Sequence, residues 1–136
     1  MEQKHTKIIE YTPENEQQLF DLIQSEGDEW TYWQGDNRAK YIKALLTSVT
    51  YLLFENDVLC GYIRCRDDGG FGIYVYDLLV EKNHRGNDYG RLLLEHVILL
   101  YKNDTVYVLG DVYPYYEDKL SYEIAGKVYI STAREQ

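Results

Sequence analysis

The stretch that most constrains this chain runs from Phe71 to Val80, FGIYVYDLLV. Read as a strand with alternating faces, it puts Phe71, Ile73, Val75 and Leu79 on one side. Tyr74, Tyr76, Leu78 and Val80 then lie on the other, and Asp77 is its single charge. A strand apolar on both faces has to be central and covered on both sides. A polar loop with two glycines follows, Glu81 to Gly90, and then an apolar stretch from Arg91 to Lys102. That stretch reads as a helix apolar nearly all round, and so largely buried. Strand, loop and buried helix demand a layered arrangement. With 136 residues there is material for one such core, and we read residues 1–136 as a single domain.

The flanking segments supply the layers. Lys7 to Tyr11 reads as a first strand. Thr12, Pro13 and Glu14 form a helix start, with a capping residue, a proline and an acid in the first turn. Leu19, Phe20, Leu22 and Ile23 give the apolar stripe of that helix, which stops near Gly27. Asp28 to Gly35 has no clean period. A second helix covers roughly 37–47, with Ala39, Ile42, Leu45 and Leu46 as its stripe. Strands follow at 51–55 and 58–66, joined by the turn signal Asn56-Asp57 and followed by a second turn at 67–70. A strand at 105–109, a short helix at 114–120 and a closing strand at 127–132 complete the chain. The fold class is therefore α/β (α+β), with helices on both faces of a sheet.

Composition excludes some partners. The net charge of −9 disfavours nucleic acid, whose phosphates are bound by Lys and Arg. It suits a cationic acceptor through long-range steering. Cys60 and Cys65, five apart on a strand, point to opposite faces and match no metal spacing. Two reduced thiols suit a cytoplasmic chain. The polar first ten residues lack the apolar core of a signal peptide, and no apolar run is long enough to span a bilayer. His5, His84 and His96 are scattered, so no metal is expected. Neither a P-loop nor a dinucleotide fingerprint is present.

The segment Asp77 to Leu94, DLLVEKNHRGNDYGRLLL, carries the chemistry. A helix start presents unpaired N–H groups and the positive end of the dipole. Glycines let the backbone turn and approach a bulky anion, and Arg85 and Arg91 flank the loop. The arrangement suits a pyrophosphate. An empty crossover loop is the structural alternative.

Leu78 to Leu94 resembles the acyl-coenzyme A binding motif of the GNAT superfamily of N-acetyltransferases, [RQ]-x-x-G-x-[GA] between a long strand and a helix. Arg85 takes the first position and Gly90 the last, with Gly86 second and Asp88 in the fourth. The order of elements over nearly the whole chain is also similar. Asp111 to Tyr122 resembles the family's late segment, with one extra residue and Ser121 in place of glycine. The resemblance implies a mixed, mostly antiparallel sheet of about six to seven strands. It implies an acetyl-CoA-dependent N-acetyltransferase acting on a primary amine by direct attack on the thioester. A non-catalytic acyl-CoA-binding sensor or interaction module is the alternative.

Roles follow by position. The backbone of Leu78, Leu79 and Val80 would bond the pantetheine arm. The amides of Gly86, Asn87, Asp88, Tyr89 and Gly90, with Arg91 beside them, would cradle the pyrophosphate. Arg85 would orient the loop or meet a phosphate. Asp88 also reads as the N-cap of the helix that starts near Tyr89. Tyr116 matches the general acid, with Tyr115 as rival and helical packing as the structural reading. Asp77 is a candidate base, or else a structural acid held by an arginine such as Arg64. Glu29, Trp30, Tyr32 and Trp33 would line the acceptor site, where aromatic faces and a carboxylate suit a cationic amine. Packing over the sheet, and a solvated Glu29, are the plain alternatives. The acceptor is a small-molecule or peptide amine, and oligomeric state is open, a homodimer included.

Overall fold

A computed structural model describes residues 4–109, 116 and 119–133. Five strands form one sheet in the order β1-β2-β3-β4-β5. They are β1 (Thr6–Glu10), β2 (Val49–Glu55), β3 (Val58–Asp67), β4 (Ile73–Val80) and β5 (Val106–Val108). The first three pairings are antiparallel and β4–β5 is parallel. The β2–β3 turn is tight because Asn56 and Asp57 both take positive φ, which these residues tolerate.

Helices α1 (Glu16–Ser25) and α2 (Asn37–Leu46) cover one face, and α3 (Tyr89–Leu100) covers the other. A 3-10 turn at Pro13–Asn15 leads into α1. On the first face Leu19, Phe20, Ile23 and Tyr41 pack on Leu52, Tyr62 and Leu79. On the second, Leu93, Leu94 and Val97 pack on Leu53, Ile63, Cys65, Ile73 and Val75. No helix among the described residues is long and apolar enough to cross a membrane.

Two register shifts change the simple alternation. Between β3 and β4, Arg64 pairs with Asp77 and Cys65 with Val75, so Tyr76 is the extra residue of a β-bulge. Ile73 and Val75 therefore face α3, whereas after the bulge Leu78 and Val80 take that face and Leu79 turns to α1 and α2. Strict alternation had placed Val75 and Leu79 together. Between β2 and β3, Leu53 pairs with Gly61 and Phe54 with Leu59, so Cys60 is the extra residue. Cys60 and Cys65 consequently share the α3 face, contrary to expectation, as free buried thiols. Burial pushes both thiols up, to about 11 and about 12.

Other expectations need correction. Phe71 precedes β4 and is exposed. Helix α3 buries one stripe only, since Leu99 is 74% exposed. Residues 127–132 form no strand, because no neighbouring backbone pairs with them, and Ile130 is 92% exposed. The sheet thus has five strands among the described residues, fewer than the six to seven expected. The helix expected at 114–120, and Tyr115 with it, lies largely outside the described residues.

Leu93 is fully buried between α3 and the sheet, next to Gly61. Leu93→Ala is expected to lower stability by about 2–5 kcal/mol through lost burial and the cavity left behind. The exposed control Leu99→Ala should change it by less than about 0.5 kcal/mol. Denaturant unfolding of the two variants checks this, and equal losses would contradict the assigned faces.

Candidate active site

The site grows from the two ends of β4. Parallel pairing with β5 covers Ile73, Tyr74 and Val75, and the Leu109 amide donates to the Val75 carbonyl at 3.0 Å. Beyond the bulge no described strand pairs with that edge of β4, so Leu78, Leu79 and Val80 border an open seam. Their side chains pack into the two cores, which leaves the role expected of them to the backbone.

The loop after β4 makes a 3-10 turn at Lys82–His84 and enters α3 at Tyr89. Gly86 sits at φ +89°, a conformation open to glycine, and nothing lies within 4 Å of where a Cβ would stand. Asp88 holds the N-cap position at φ 62°, in the left-handed region. Its side chain makes no cap bond, contrary to the capping role expected of it. The carboxylate instead lies 3.4 Å from Lys119 Nζ. The left-handed backbone explains this, because an N-cap needs extended geometry to aim its oxygen at the next amides. Among the described residues, no acceptor meets the amides of Gly86, Asn87, Asp88, Tyr89, Gly90 or Arg91. The result is a row of free N–H groups at the positive end of α3.

Arg85 faces away from that row. Its Nε donates to the Val80 carbonyl at 2.9 Å and its guanidinium pairs with Glu26, a buried acid at the end of α1. Arg91 donates to the Lys119 carbonyl at 3.2 Å, which sets Lys119 against the start of α3. Tyr116 is half-buried on the α3 face of the sheet, its ring 6.3 Å from that of Tyr122. It therefore shares a face with the loop.

Asp77 is on the opposite face and is engaged by three donors. Arg64 Nε lies 2.5 Å away, the Tyr41 hydroxyl 2.7 Å and the Tyr32 hydroxyl 2.8 Å. Tyr41 also meets the Tyr62 hydroxyl at 2.9 Å. A buried charge is tolerable when it is paired and hydrogen-bonded in this way. Burial, reinforced by Asp77, pushes the Tyr32 phenol up to about 12 and moves Tyr41 in the same direction. Tyr62 moves up as well, through burial and its tyrosine and carboxylate neighbours. Burial acts downward on Arg64, but the facing Asp77 outweighs it and holds the guanidinium charged. The arrangement matches the structural reading of Asp77, with Arg64 as its arginine.

The aromatic segment closes this face. Trp30, Tyr32 and Trp33 pack on the α1/α2 core. Tyr32 stacks on Tyr41 with centroids 4.1 Å apart, and Trp30 meets Tyr32 and Tyr62 edge-on. Glu29 is exposed beside them. A shallow cleft of about 420 Å³ lies nearby between α1 and the β2–β3 turn, and of the loop residues it touches only Glu81. No group of three metal-type ligands occurs among the described residues.

Sequence reasoning missed Glu26, Tyr41 and Tyr62 as partners of this site. Tyr41 lies on α2 outside the stripe read for that helix, and Glu26 at the end of α1 carries no chemical signature of its own. The lone charge of Asp77 on an apolar strand was the one signal that partners were needed.

Comparison with known proteins places the chain. Residues 16–115 match the model of the Acetyltransferase (GNAT) family. A GNAT-family acetyltransferase from Streptococcus pneumoniae superposes with a TM-score of 0.75 at 22% identity, covering 98% of this chain and 100% of that one. A Staphylococcus aureus protein described as a probable acetyltransferase gives 0.71 at 25% identity, covering 94% and 100%. An aminoglycoside N-acetyltransferase solved with CoA gives 0.74 at 12% identity, covering 98% and 97%. No curated protein matches the chain.

Two outcomes test the geometry of the Asp77 cluster. Asp77→Ala leaves the buried Arg64 charge unpaired and should cost about 3–5 kcal/mol, read by denaturant unfolding. Between the ordinary tyrosine value of 10.0 and the raised values of Tyr32, Tyr41 and Tyr62, the unfolded chain loses phenolic protons that the folded chain keeps. Stability is therefore expected to fall as pH rises from about 10 towards 12. A melting midpoint that holds steady over that range would contradict the buried network.

Proposed function

The chain belongs to the GNAT acetyltransferase family, and from that membership we propose that it moves an acetyl group from acetyl-coenzyme A to a primary amine by direct attack on the thioester. The row of free amides from Gly86 to Arg91, set beside the open seam of β4, is the observation that carries this reading. Such a row suits a pyrophosphate, because the dipole and the unpaired N–H groups act together on negative charge. The edge of β4 away from β3 at Leu78 and Leu79, along which no described strand pairs, suits an extended amide-bearing arm, which would bond along it as an added strand does.

The chemistry joins the amine nitrogen to the acetyl carbon and breaks the carbon–sulfur bond. The sulfur leaves with the electron pair and needs a proton, and the nitrogen sheds one. Tyr116 is the donor we assign to the sulfur, since it lies on the same face as the loop and close in sequence to Lys119, which is set against the start of α3. A β4 amide would polarise the thioester carbonyl. Asp77 is too fully engaged to serve as the base, and we assign it the positioning of Arg64, Tyr41 and Tyr32 instead. Deprotonation of the ammonium to the neutral amine then rests with solvent, so turnover at neutral pH follows the small neutral fraction of the acceptor.

Arg85 is a positioning residue in this scheme, because both of its bonds run to the protein. For the acceptor side we propose Glu29, Trp30, Tyr32 and Trp33, with a cationic amine attracted by aromatic faces and by the net charge of −9.

Thiol release from acetyl-coenzyme A with a panel of primary amines tests the proposal. Wild-type protein should turn over, and Tyr116→Phe should lower kcat by about a hundredfold with KM for acetyl-coenzyme A little changed. Binding without turnover would favour a non-catalytic binding module. Undiminished kcat in Tyr116→Phe would remove Tyr116 from the role of acid.

A further inference from the structure

His84 and Tyr89, which stand on either side of the turn into α3, are tied to one carboxylate. Glu55, at the end of β2 and largely buried, accepts the Tyr89 hydroxyl on Oε1 at 2.5 Å. Its Oε2 meets His84 Nε2 at 3.1 Å. His84 precedes the loop and Tyr89 opens α3, so residues 85–88 span the gap between two points fixed on the same side chain. Glu55 looks in the sequence like a solvated acid before a turn, and no step of the acetyl transfer uses it.

The surroundings make the clamp electrostatically coherent. His84 Nδ1 faces Glu81 Oε2 at 2.7 Å, so both ring nitrogens point at carboxylates. A neutral imidazole has one N–H and can donate to one of them, whereas the imidazolium donates to both. Lys4 Nζ lies 3.8 Å from Glu55 and 2.9 Å from Asn87 Oδ1. Asn87 in turn donates to the His84 carbonyl at 2.9 Å. The titratable and charged groups around His84 are therefore Glu81 on its own turn, Glu55 from β2, Tyr89 from α3, Lys4 from the chain start, Arg85 beside Glu81, and the buried Cys60 of β3. Burial acts upward on Glu81, but bonds from His84 and Asn83 outweigh it and hold the acid below its ordinary value.

Resting on the acetyltransferase reading, we propose that Glu55 is a positioning residue of the pyrophosphate cradle, holding the turn into α3 at two points through the side chains of His84 and Tyr89. An acid beneath an anion site would repel the ligand if it stood alone. Here Tyr89 and His84 engage it and Lys4 Nζ lies 3.8 Å away, and its remaining effect is to fix the spacing of the amides.

Calorimetric titration of coenzyme A into the full-length protein tests this, with melting curves to confirm that each variant is folded. Glu55→Ala should weaken binding about tenfold, the scale of a lost charged hydrogen bond. Tyr89→Phe and His84→Gln remove one arm each with little change of shape and should each weaken it about threefold. Acetyl-pantetheine lacks the pyrophosphate, so its kcat/KM should be unchanged in Glu55→Ala. Unaltered coenzyme A affinity in folded Glu55→Ala would overturn the clamp while leaving the enzyme reading intact. A wild-type protein that binds no coenzyme A would overturn both.

Discussion

Tyr76 has no partner across the ladder from β3, and much of the molecule depends on that one extra residue. A bulge bends a strand and reverses its alternation from that point on. Before it, β4 presents Ile73 and Val75 to α3 and pairs with β5. After it, β4 turns Leu79 to the other face, brings Asp77 opposite Arg64 and runs on without β5 beside it. The open seam, the buried ion pair and the approach to the loop are therefore consequences of one local irregularity. Arg64 stabilises the arrangement from both sides, since its guanidinium also lies over the rings of Tyr41 and Tyr76.

The electrostatics resolve an apparent conflict. A chain of net charge −9 has to hold a polyanion if it is to use coenzyme A. In the proposed cradle the means is not a basic patch but a set of helix-start amides that no described acceptor meets, with the nearby acids kept occupied. Glu26 is held by Arg85, Glu55 by His84, Tyr89 and Lys4, and Asp88 faces Lys119. The exposed Asp88–Lys119 pair adds little stability of its own. Its effect is on the local field, because it sets a cation beside the Asp88 carboxylate.

The backbone plan was readable from periodicity. The apolar β4, its glycine-bearing loop and the stripe of α1 are local signals, and each is where the residues put it. What escaped was set by pairing across the sheet. The faces of Cys60 and Cys65 depend on a register shift that no five-residue spacing reveals. The strand expected at 127–132 has suitable residues, but a strand exists only where another backbone accepts its bonds. The loop was legible as a candidate anion site, whereas the contacts of Glu55, Glu26 and His84 were not, because the Glu55–His84 and Glu26–Arg85 pairs join residues distant in sequence. Asp77 was legible as a charge that needs a partner, and Arg64 is that partner.

Amide resonances followed by NMR during titration with coenzyme A test the central claim most directly. The largest shifts are expected at the amides of Gly86 through Arg91, with a second set at Leu78 through Val80. Saturable binding that left those amides unmoved and shifted resonances elsewhere would contradict it.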